Sequence, residues 1–497
     1  MSMMSDSHSK LLDLYPVWES NDPPDEQDVP FIEQSLAAAL NRLAVLKAEK
    51  DKILQKVATP HSMDLPLHLE ARTKQLDGAP RIPALDRTIR LQKCVINAHK
   101  SILSAVRRLP PEILGEIFYL ALPARADWFY SDISEPVPGS PWLLSHVCRK
   151  WRAAVRGNAL LWSNIRVDTI KLHSRLFHSF FEQRDRRGLE TQIALSANTP
   201  LSVDLWITRA IKPDSPKLPK FFEIVFGQSN RWKQLNVRWS GDPPSLYLLS
   251  SITGQLPHLQ RLIFHPHGLF DPLPAELHAL FAVAPALREV LLTGNDFMVP
   301  SPPLDLPWHQ LERLRMCSNQ AYIVQNLPKA VNLLDCAIAP TPIPLLLPNV
   351  RRLTLCDAKP DWLKLDTPLL EHLHLQACTD IVFQIMIRPM SNLRSLKLTN
   401  IVSDDPNSLF TVLRNLPAIS HLELYFEAWN MNSAPHDKQY AFAVSFAAAM
   451  KISHESTTSN LCPRLISLRL VFPHLFHYPQ PDELYHSFFE MVQSRWR

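Results

Sequence analysis

The chain contains very little glycine. Of its 497 residues only 10 are glycine, against 44 proline, and no two glycines lie closer than Gly241 and Gly254. Phosphate-binding loops and nucleophile elbows need glycines a few residues apart, because the backbone there bends sharply or approaches a ligand closely. The sequence therefore excludes a GxGxxG loop, a P-loop and a GxSxG elbow, and it also lacks an HExxH motif. We predict a protein that is not an enzyme and that has no cofactor.

Cysteine is also sparse. The seven cysteines are far apart, and the closest pair is Cys317 and Cys336. No CxxC pair is available for zinc or redox chemistry, and a disulfide framework is not expected. Two His-x-His pairs, at 265/267 and 372/374, would each face one side of a strand, but neither has a third ligand in view. We therefore predict no metal site, and a reducing compartment, the cytoplasm or the nucleus.

Strong charge and long apolar runs are absent too. The net charge is +4, and basic and acidic residues alternate along the chain, which does not favour nucleic-acid binding. The N-terminus has no apolar signal core, and the longest largely apolar stretch, 441–450, is too short to span a bilayer. Neither nucleic acid nor membrane is an expected partner.

The first hundred residues divide into a polar tail and a helical region. Residues 1–30, rich in Ser, Asp and Pro, are predicted to be disordered. Within 31–106, apolar residues recur at spacings of three and four from Phe31 to Val57 and again from Ile82 to Val106, with a connector at 59–81. The two helices can pair as an antiparallel hairpin or dimerise as a coiled coil. Fewer than four clean heptads, with Lys50 in the seam, favour the hairpin.

A repeated LxxLxL pattern occupies the C-terminal two thirds of the chain. Its first positions are 19 to 28 residues apart, except for a last step of 46. Each xLxLx is predicted to be a short strand with its apolar residues turned inward, and the rest of the repeat returns the chain to the next parallel strand. The ten units are Trp232, Leu235, Val237; Leu259, Leu262, Phe264; Leu287, Val290, Leu292; Leu311, Leu314, Met316; Val331, Leu334, Cys336; Val350, Leu353, Leu355; Leu370, Leu373, Leu375; Leu393, Leu396, Leu398; Ile419, Leu422, Leu424; and Leu465, Leu468, Leu470.

This spacing is typical of a leucine-rich-repeat array, which we place at 168–497. Short repeats leave room only for tight or 3₁₀ returns, whereas the longer ones can hold helices at 274–283, 407–415 and 440–450. Residues 482–496 are predicted to cap the end of the core. The fold class is therefore α/β, a solenoid with a curved parallel sheet that follows N-terminal helices.

Residues 107–167 lie between the predicted hairpin and the repeats. They contain LPPEIL, VCRKW and LWSNI in that order. Leu109 and Pro110 are expected to open a helix with an apolar stripe at Ile113, Leu114, Ile117 and Phe118. A second helix is expected to carry Leu143, Leu144, Val147, Cys148 and Trp151. A small helical core would explain many of these residues without any partner.

The three landmarks together resemble the F-box family, and the whole layout is similar to the large fungal F-box families with degenerate repeats. The resemblance implies a three-helix motif that binds a Skp-type adaptor and, through it, a cullin-RING scaffold. One departure is an unusually long connector at 122–141, in which Trp128, Phe129 and Tyr130 could cover the motif or crowd the adaptor. By matching position, the adaptor-binding candidates are Leu109, Pro110, Ile113, Leu114, Val147, Cys148, Trp151, Leu161 and Trp162.

The resemblance also implies that the repeats bind a target protein. On parallel strands, the residues between the inward leucines stack into a continuous concave face. We predict target binding by Arg313, Arg315, Asp335, Arg352, Thr354, His372, His374, Lys397, Glu423 and Arg469. The expected function is substrate recognition for an SCF-type cullin-RING ubiquitin ligase. The alternative is an F-box and repeat scaffold that binds partners without ubiquitination.

Overall fold

The computed structural model describes residues 23–58, 81–122, 141–168, 179–208, 218–240, 249–266, 278–292, 304–316, 325–338, 345–356, 365–376, 391–401, 406–426, 436–452, 460–471 and 481–495. The expectations for the tail at 1–22, most of the first connector and the insertion with its aromatic residues lie outside these ranges. The chain divides into two compact units, residues 1–162 with 195–197, and 163–194 with 198–497.

The first unit is helical. Its helices are α1 Val29–Ala58, α2 Arg81–Ile102, a 3₁₀ turn at Ala105–Arg108, α3 Pro111–Ala121, α4 Pro141–Ser145, α5 Arg149–Gly157 and α6 Ala159–Trp162. The first helix begins two residues inside the predicted tail, after a turn in which the Asp28 N–H donates to the Asp25 carbonyl at 2.9 Å. Pro30 fits there because the first helical turn needs no partner for its nitrogen.

The helices α1 and α2 form an antiparallel hairpin, as predicted. Lys50 Nζ lies 2.7 Å from Asp86 Oδ1, and Ser35 Oγ lies 3.0 Å from His99 Nε2, so residue numbers rise on one helix as they fall on the other. Lys50, whose place in the apolar seam disfavours a coiled-coil dimer, therefore has its charge balanced by Asp86 within the hairpin. The second helix ends at Ile102, earlier than predicted, and Val106 is exposed in the 3₁₀ turn.

The second unit is built on a parallel sheet. Among the described residues, twelve strands form one sheet in the order β1-β2-β3-β4-β5-β6-β7-β9-β11-β12-β13-β14, and all neighbouring pairs are parallel. The predicted α/β class with a parallel sheet is confirmed. The strands are β1 Asn164–Asp168, β2 Leu201–Thr208, β3 Trp232–Ser240, β4 Arg261–Pro266, β5 Glu289–Leu292, β6 Arg313–Met316, β7 Asp335–Ile338, β9 Arg352–Leu355, β11 His372–Gln376, β12 Ser395–Ile401, β13 His421–Phe426 and β14 Ser467–Val471; β8 Leu345–Leu346 and β10 Leu365–Asp366 pair separately.

The LxxLxL pattern does not identify the first two strands of this sheet. Residues 164–167, predicted to close the F-box-like segment, form most of β1, and β2 follows α7 Ser179–Leu195. In neither strand does a leucine stand three residues before the paired inward residues, Ile165 in β1 and Val203 in β2. Their signal is the alternation of buried side chains, such as Val203, Leu205 and Ile207.

Apolar side chains from successive strands pack in register beneath the sheet. Leu314, Cys336 and Leu353 are direct neighbours across β6, β7 and β9, and each is at most 1% exposed. Buried apolar area contributes roughly 25 cal/mol per Å², but a single strand of four residues cannot enclose its own side chains. Each strand therefore depends on the two beside it.

Backbone hydrogen bonds connect the turns before the strands. The Glu312 N–H donates to the Arg288 carbonyl at 2.8 Å and the Leu334 N–H to the Glu312 carbonyl at 2.9 Å, and the same link recurs from residue 260 to residue 466. In several repeats an amide side chain adds a second link, for example Asn332 Nδ2 to the His309 carbonyl at 2.8 Å and Asn349 Nδ2 to the Val331 carbonyl at 2.7 Å. These bonds satisfy carbonyls that would otherwise lose their partners at each turn.

One repeat has a different frame from the prediction. The sequence predicted Val331, Leu334 and Cys336 as its inward residues, but Val331 is 52% and Leu334 43% exposed. The strand register pairs Leu314 with Cys336 and Met316 with Ile338, so the inward residues are Leu333, Cys336 and Ile338. The amide residue directly before Leu333 marks this frame, as Gln310 does before Leu311.

The returns are helical where the repeats are long. The described helices of the returns are α8 Leu218–Phe226, α9 Pro406–Arg414 and α10 His436–Met450, with 3₁₀ turns such as Trp308–Gln310 and Leu327–Lys329 in the shorter repeats. The predictions at 407–415 and 440–450 are confirmed. Of the helix predicted at 274–283, the described part holds a 3₁₀ turn, Ala279–Phe281.

The last helix, α11 Pro481–Arg495, packs on α10 at the end of the core, as predicted. Arg495 donates from Nε to the Met450 carbonyl at 2.5 Å and from its terminal nitrogens to the carbonyls of Leu461 and Cys462. Burial lowers the pKa of Arg495. No described helix is both long enough and apolar enough to cross a bilayer.

The corrected frame predicts unequal costs for two truncations in one repeat. Ile338→Ala removes a side chain that is 3% exposed, and it should lower the free energy of unfolding by about 2–5 kcal/mol. Val331→Ala should change that free energy by less than about 0.5 kcal/mol, because the side chain is half in solvent. Urea denaturation of both variants measures the difference. A larger loss from Val331→Ala would support the frame that starts at that residue.

Candidate interaction surfaces

The helices α3 to α6 enclose a small apolar core. Its fully buried members are Leu114, Phe118, Ala154, Val155, Leu161 and Trp162. The Trp162 indole N–H donates to the Val155 carbonyl at 2.8 Å, so its polar atom is satisfied. The Phe118 ring lies 4.7 Å from that of Trp151, and the Trp142 ring meets Trp162 edge-on at 4.8 Å. The first of these aromatic contacts thus holds α3 to α5, and the second holds α4 to α6.

Gly115 allows α3 to pass close to the turn between α5 and α6. A Cβ at this position would lie 2.9 Å from Nδ2 of Asn158. Asn158 is itself held in place, since its Oδ1 accepts the Leu160 N–H at 3.1 Å. A side chain at residue 115 would therefore force the Asn158 side chain to move and would disturb its hydrogen bond to the Leu160 N–H.

The helix α3 has two apolar stripes, and only one of them is buried. Leu114 and Phe118 are 1% and 2% exposed, whereas Ile113, Ile117 and Leu120 are 48%, 43% and 79% exposed. The three exposed residues are spaced four and three apart, which places them on one face of the helix. A single exposed apolar side chain is ordinary, whereas an aligned set is a candidate contact surface. We call Ile113, Ile117 and Leu120 the exposed stripe.

The predicted second helix is interrupted. It forms α4 and α5, with Cys148 in extended conformation between them. The Cys148 sulfur accepts the Trp151 N–H at 3.4 Å, so this side chain caps α5. The break leaves Val147 56% exposed. Lys150 and Arg152 donate to the carbonyls of Arg107 and Ser145, at 2.6 and 2.9 Å, and so fasten the adjoining turns.

The predicted adaptor-binding residues fall into three groups. Pro110, Ile113 and Val147 are exposed; Leu109, Cys148 and Trp151 are half-buried. Leu114, Leu161 and Trp162 are each 1% exposed, so they lie in the core of this unit and not on its surface. They form the core that positions the others, because a helix must bury one stripe to be stable at all.

Several exposed apolar residues of this unit were missed as contact candidates. Ile117 and Leu120 extend the exposed stripe, and Trp142, Leu143 and Leu160 are 37%, 50% and 45% exposed. The spacing from Ile113 to Leu120 could have identified the stripe. Which of two apolar stripes is buried depends on the other helices, and a helical pattern alone does not show it.

The second surface is the side of the sheet opposite the apolar core, here called the polar face. It consists of two columns of side chains that alternate with the inward residues. From β4 to β14 the first column is Arg261, Glu289, Arg313, Asp335, Arg352, His372, Ser395, His421 and Ser467, and the second is Ile263, Leu291, Arg315, Ala337, Thr354, His374, Lys397, Glu423 and Arg469.

This register agrees with the predicted target-binding residues in all but one position. The predicted frame put Asp335 between the inward residues Leu334 and Cys336, a position equivalent to that of Arg315 between Leu314 and Met316. In the structure Asp335 lies in the first column, between Arg313 and Arg352. The second-column position on β7 belongs to Ala337. The misplacement follows from the shifted frame of that repeat.

The polar face is accessible only along part of the sheet. On β4, Ile263 is 1% and His265 9% exposed although both point away from the core. The side-chain oxygens of Asn164 on β1 and Asn236 on β3 are also buried. From β6 onward the long side chains reach solvent, and those of Arg313 and Arg352 are 58% and 62% exposed, although Ala337 on β7 is 6% exposed. A partner can therefore reach the later strands directly.

Charges on the exposed part of the polar face are largely paired. Glu289 lies 3.2 Å from Arg261 and 3.8 Å from Arg313, and Arg352 lies 3.9 Å from Asp335. On later strands Lys397 lies 3.3 Å from Glu423. Pairs this exposed contribute little stability, but they leave every carboxylate of the two columns with a cation nearby. Arg315 makes no ion pair or hydrogen bond within the described part of the chain.

An aromatic residue stands among the charges at the far end. The Tyr425 ring has Lys397 Nζ 5.0 Å and Arg469 Cζ 5.4 Å from its centroid, and the Tyr425 hydroxyl donates to Glu423 at 3.2 Å. Cations over an aromatic ring are attracted by its negative face. These contacts restrict the side chains of Lys397 and Arg469 to positions over the Tyr425 ring.

His374 is held in a defined hydrogen-bond chain. Thr399 donates its hydroxyl hydrogen to the Leu375 carbonyl at 3.4 Å, so His374 Nε2, 3.2 Å from the same oxygen, must be the donor to it. Burial lowers the pKa of His374, as do the charges of Lys397 and Arg315. Burial and Arg352 likewise lower the pKa of His372. Both imidazoles therefore favour the neutral form near pH 7.

No metal site is formed by the described residues: no three His, Cys, Asp or Glu side chains come together. The described cysteines, Cys94, Cys148, Cys336, Cys356 and Cys462, carry free thiols. The chain matches no protein-family model and no curated protein. Function is therefore inferred from the two surfaces themselves.

The two stripes of α3 predict opposite effects of truncation. Leu114→Ala should lower the local unfolding free energy of the helical unit by about 2–5 kcal/mol, whereas Ile113→Ala should leave it within about 0.5 kcal/mol. Hydrogen exchange in peptides covering 149–162 measures that free energy, because those helices share the core with α3. Equal acceleration of exchange by both variants would mean that Ile113 also belongs to the core.

Proposed function

We propose that the chain is a substrate-recognition subunit of an SCF-type cullin-RING ubiquitin ligase. In this proposal α3 to α6 form an F-box that docks to a Skp-type adaptor, and the sheet unit holds the target protein. The observation that carries the proposal is the exposed stripe on α3, an apolar face that lies outside the core formed by the described residues of this unit.

The local structure of the three landmarks supports the F-box assignment. LPPEIL starts α3, with the Pro110 carbonyl accepting the Leu114 N–H at 3.0 Å. VCRKW forms the break and the start of α5, and LWSNI runs from α6 into β1. The resemblance implies three helices, and the described part of the segment has four because the predicted second helix is divided into α4 and α5. The proposed contacts are Pro110, Ile113 and Val147, together with Ile117, Leu120 and Leu143.

The sheet unit supports a leucine-rich-repeat solenoid as the target-binding part. Its large sheet adds consecutive repeats side by side without a strand from elsewhere, apart from the small pair β8 and β10. Such arrays bind through the extended face of their strands, which here is the polar face. In this proposal neither surface performs chemistry, and ubiquitin transfer is left to the partners.

Replacing the exposed stripe tests the docking proposal. Ile113→Asp combined with Ile117→Asp should lower affinity for a purified Skp-type adaptor at least about thirtyfold, equivalent to about 2 kcal/mol, because charges would be desolvated in an apolar interface. Isothermal titration calorimetry with the full chain measures this. The matched control is Tyr485→Asp with Phe489→Asp on α11, which are 62% and 59% exposed and add the same charge elsewhere.

The control pair should bind the adaptor like the unaltered chain, and both pairs should keep the original melting temperature. Unchanged adaptor binding by the stripe variant would rule out docking through α3. Binding of the adaptor without recruitment of the cullin would instead favour the scaffold that acts without ubiquitination.

A further inference from the structure

The polar face carries more positive than negative charge. Its carboxylates are paired with Arg261, Arg313, Arg352 and Lys397, whereas Arg315 on β6 and Arg469 on β14 form no ion pair with another residue of the described ranges. The side chain of Arg315 is exposed. An unpaired guanidinium offers five N–H donors in a planar fork, the geometry that suits a carboxylate.

Arg315 and His374 lie in the same column of the polar face. Their strands are separated by β7 and β9, so their Cα atoms lie about 14 Å apart at ordinary strand spacing. Ala337 and Thr354 occupy the two positions between them. Ala337 has no side chain beyond Cβ, so no long side chain stands between Arg315 and Thr354.

Polar side chains continue the column beyond Ala337. Thr354 lies beside Ala337 on β9, and its hydroxyl makes no hydrogen bond within the described ranges. His374 uses Nε2 to hold Thr399 and leaves Nδ1 for another partner. Lys397, one strand further, is the next cation of this column. Arg315, Thr354, His374 and Lys397 are here called the basic site.

We infer that the basic site binds a carboxylate-bearing acidic segment of the target protein. The inference rests on the proposed target-binding role of the polar face and specifies what that face recognises. Arg315 would hold an Asp or Glu carboxylate through paired hydrogen bonds, and the Thr354 hydroxyl would donate to the same group. A carboxylate that leaves water must be paired and hydrogen-bonded, and Arg315 with Thr354 can provide both interactions.

A protein segment fits this surface better than a nucleic acid. The carboxylates of Glu289, Asp335 and Glu423 flank the basic site, and they would repel a continuous phosphate backbone. A peptide with separated acidic side chains can place each carboxylate beside a cation and avoid these flanks. The whole chain has a net charge of only +4.

Fluorescence anisotropy with a labelled hexaglutamate peptide and the full chain tests the inference, with labelled hexaglutamine as the neutral control. Hexaglutamate should bind measurably more tightly, and Arg315→Gln should weaken it about tenfold, as expected for one lost charge-assisted hydrogen bond. Arg414→Gln, on the exposed end of α9, removes the same charge and should have no effect. Ala337→Leu should weaken binding without any change of charge, because a long side chain would then stand between Arg315 and Thr354.

Equal binding of the two peptides would overturn the inference, as would equal weakening by Arg315→Gln and Arg414→Gln, which would indicate diffuse attraction. Tighter binding of a hexathymidine oligonucleotide, also lost in Arg315→Gln, would assign the basic site to nucleic acid instead. Circular dichroism melting confirms that each variant is folded, and Arg315→Gln decides the matter if Ala337→Leu is not. Adaptor binding is measured separately: a chain that binds hexaglutamate but no adaptor retains the basic site and loses the ligase role, and the reverse result removes only the basic site.

Discussion

The structure of the sheet unit depends on one constraint: each strand can bury its apolar side chains only against the strand before and the strand after it. Leu353 is enclosed because Cys336 and Leu373 lie in register on either side. The backbone links from turn to turn hold this register, and period-two alternation then fixes which side chains point the other way. The polar face, with Arg315 and His374 in one column, is thus a consequence of how the core is packed.

The same constraint explains what could be read from the sequence. Apolar residues at fixed spacing, mostly leucines, predicted the strands of the large sheet from β3 to β14 because each must bury the same column; β8 and β10, which pair separately, were not predicted. The frame was wrong where two apolar choices competed: Val331 and Leu334 satisfy the spacing as well as Leu333, and only the preceding Asn332 distinguishes them. The strands β1 and β2 lack the leading leucine altogether. Consequently the predicted target-binding residues were placed correctly except for Asp335, whose repeat carried the shifted frame.

In the helical unit, the sequence predicted the landmarks and the start of α3. It did not predict which residues of the landmarks are buried and which are exposed. Ile113 and Leu114 are adjacent and equally apolar, yet one is half exposed and the other fully buried. The difference arises from contacts with α5 and α6 that are distant in sequence, such as the ring of Trp151 on Phe118. Likewise, Leu161 and Trp162 match a motif by position but serve the core. A sequence motif thus contains buried residues that position a surface and exposed residues that lie on it. Only the packing of the helices shows which residue is which.

The central claim is that the exposed stripe on α3 is covered by a Skp-type adaptor in the assembled protein. A photo-crosslinking amino acid incorporated at position 120, where the native leucine is 79% exposed, tests this most directly in cells that contain the ligase components. The account predicts a crosslink to the adaptor, identified by mass spectrometry, that is absent when the same crosslinker is placed at position 489 on α11. Crosslinking from position 120 to other proteins but never to the adaptor would contradict it.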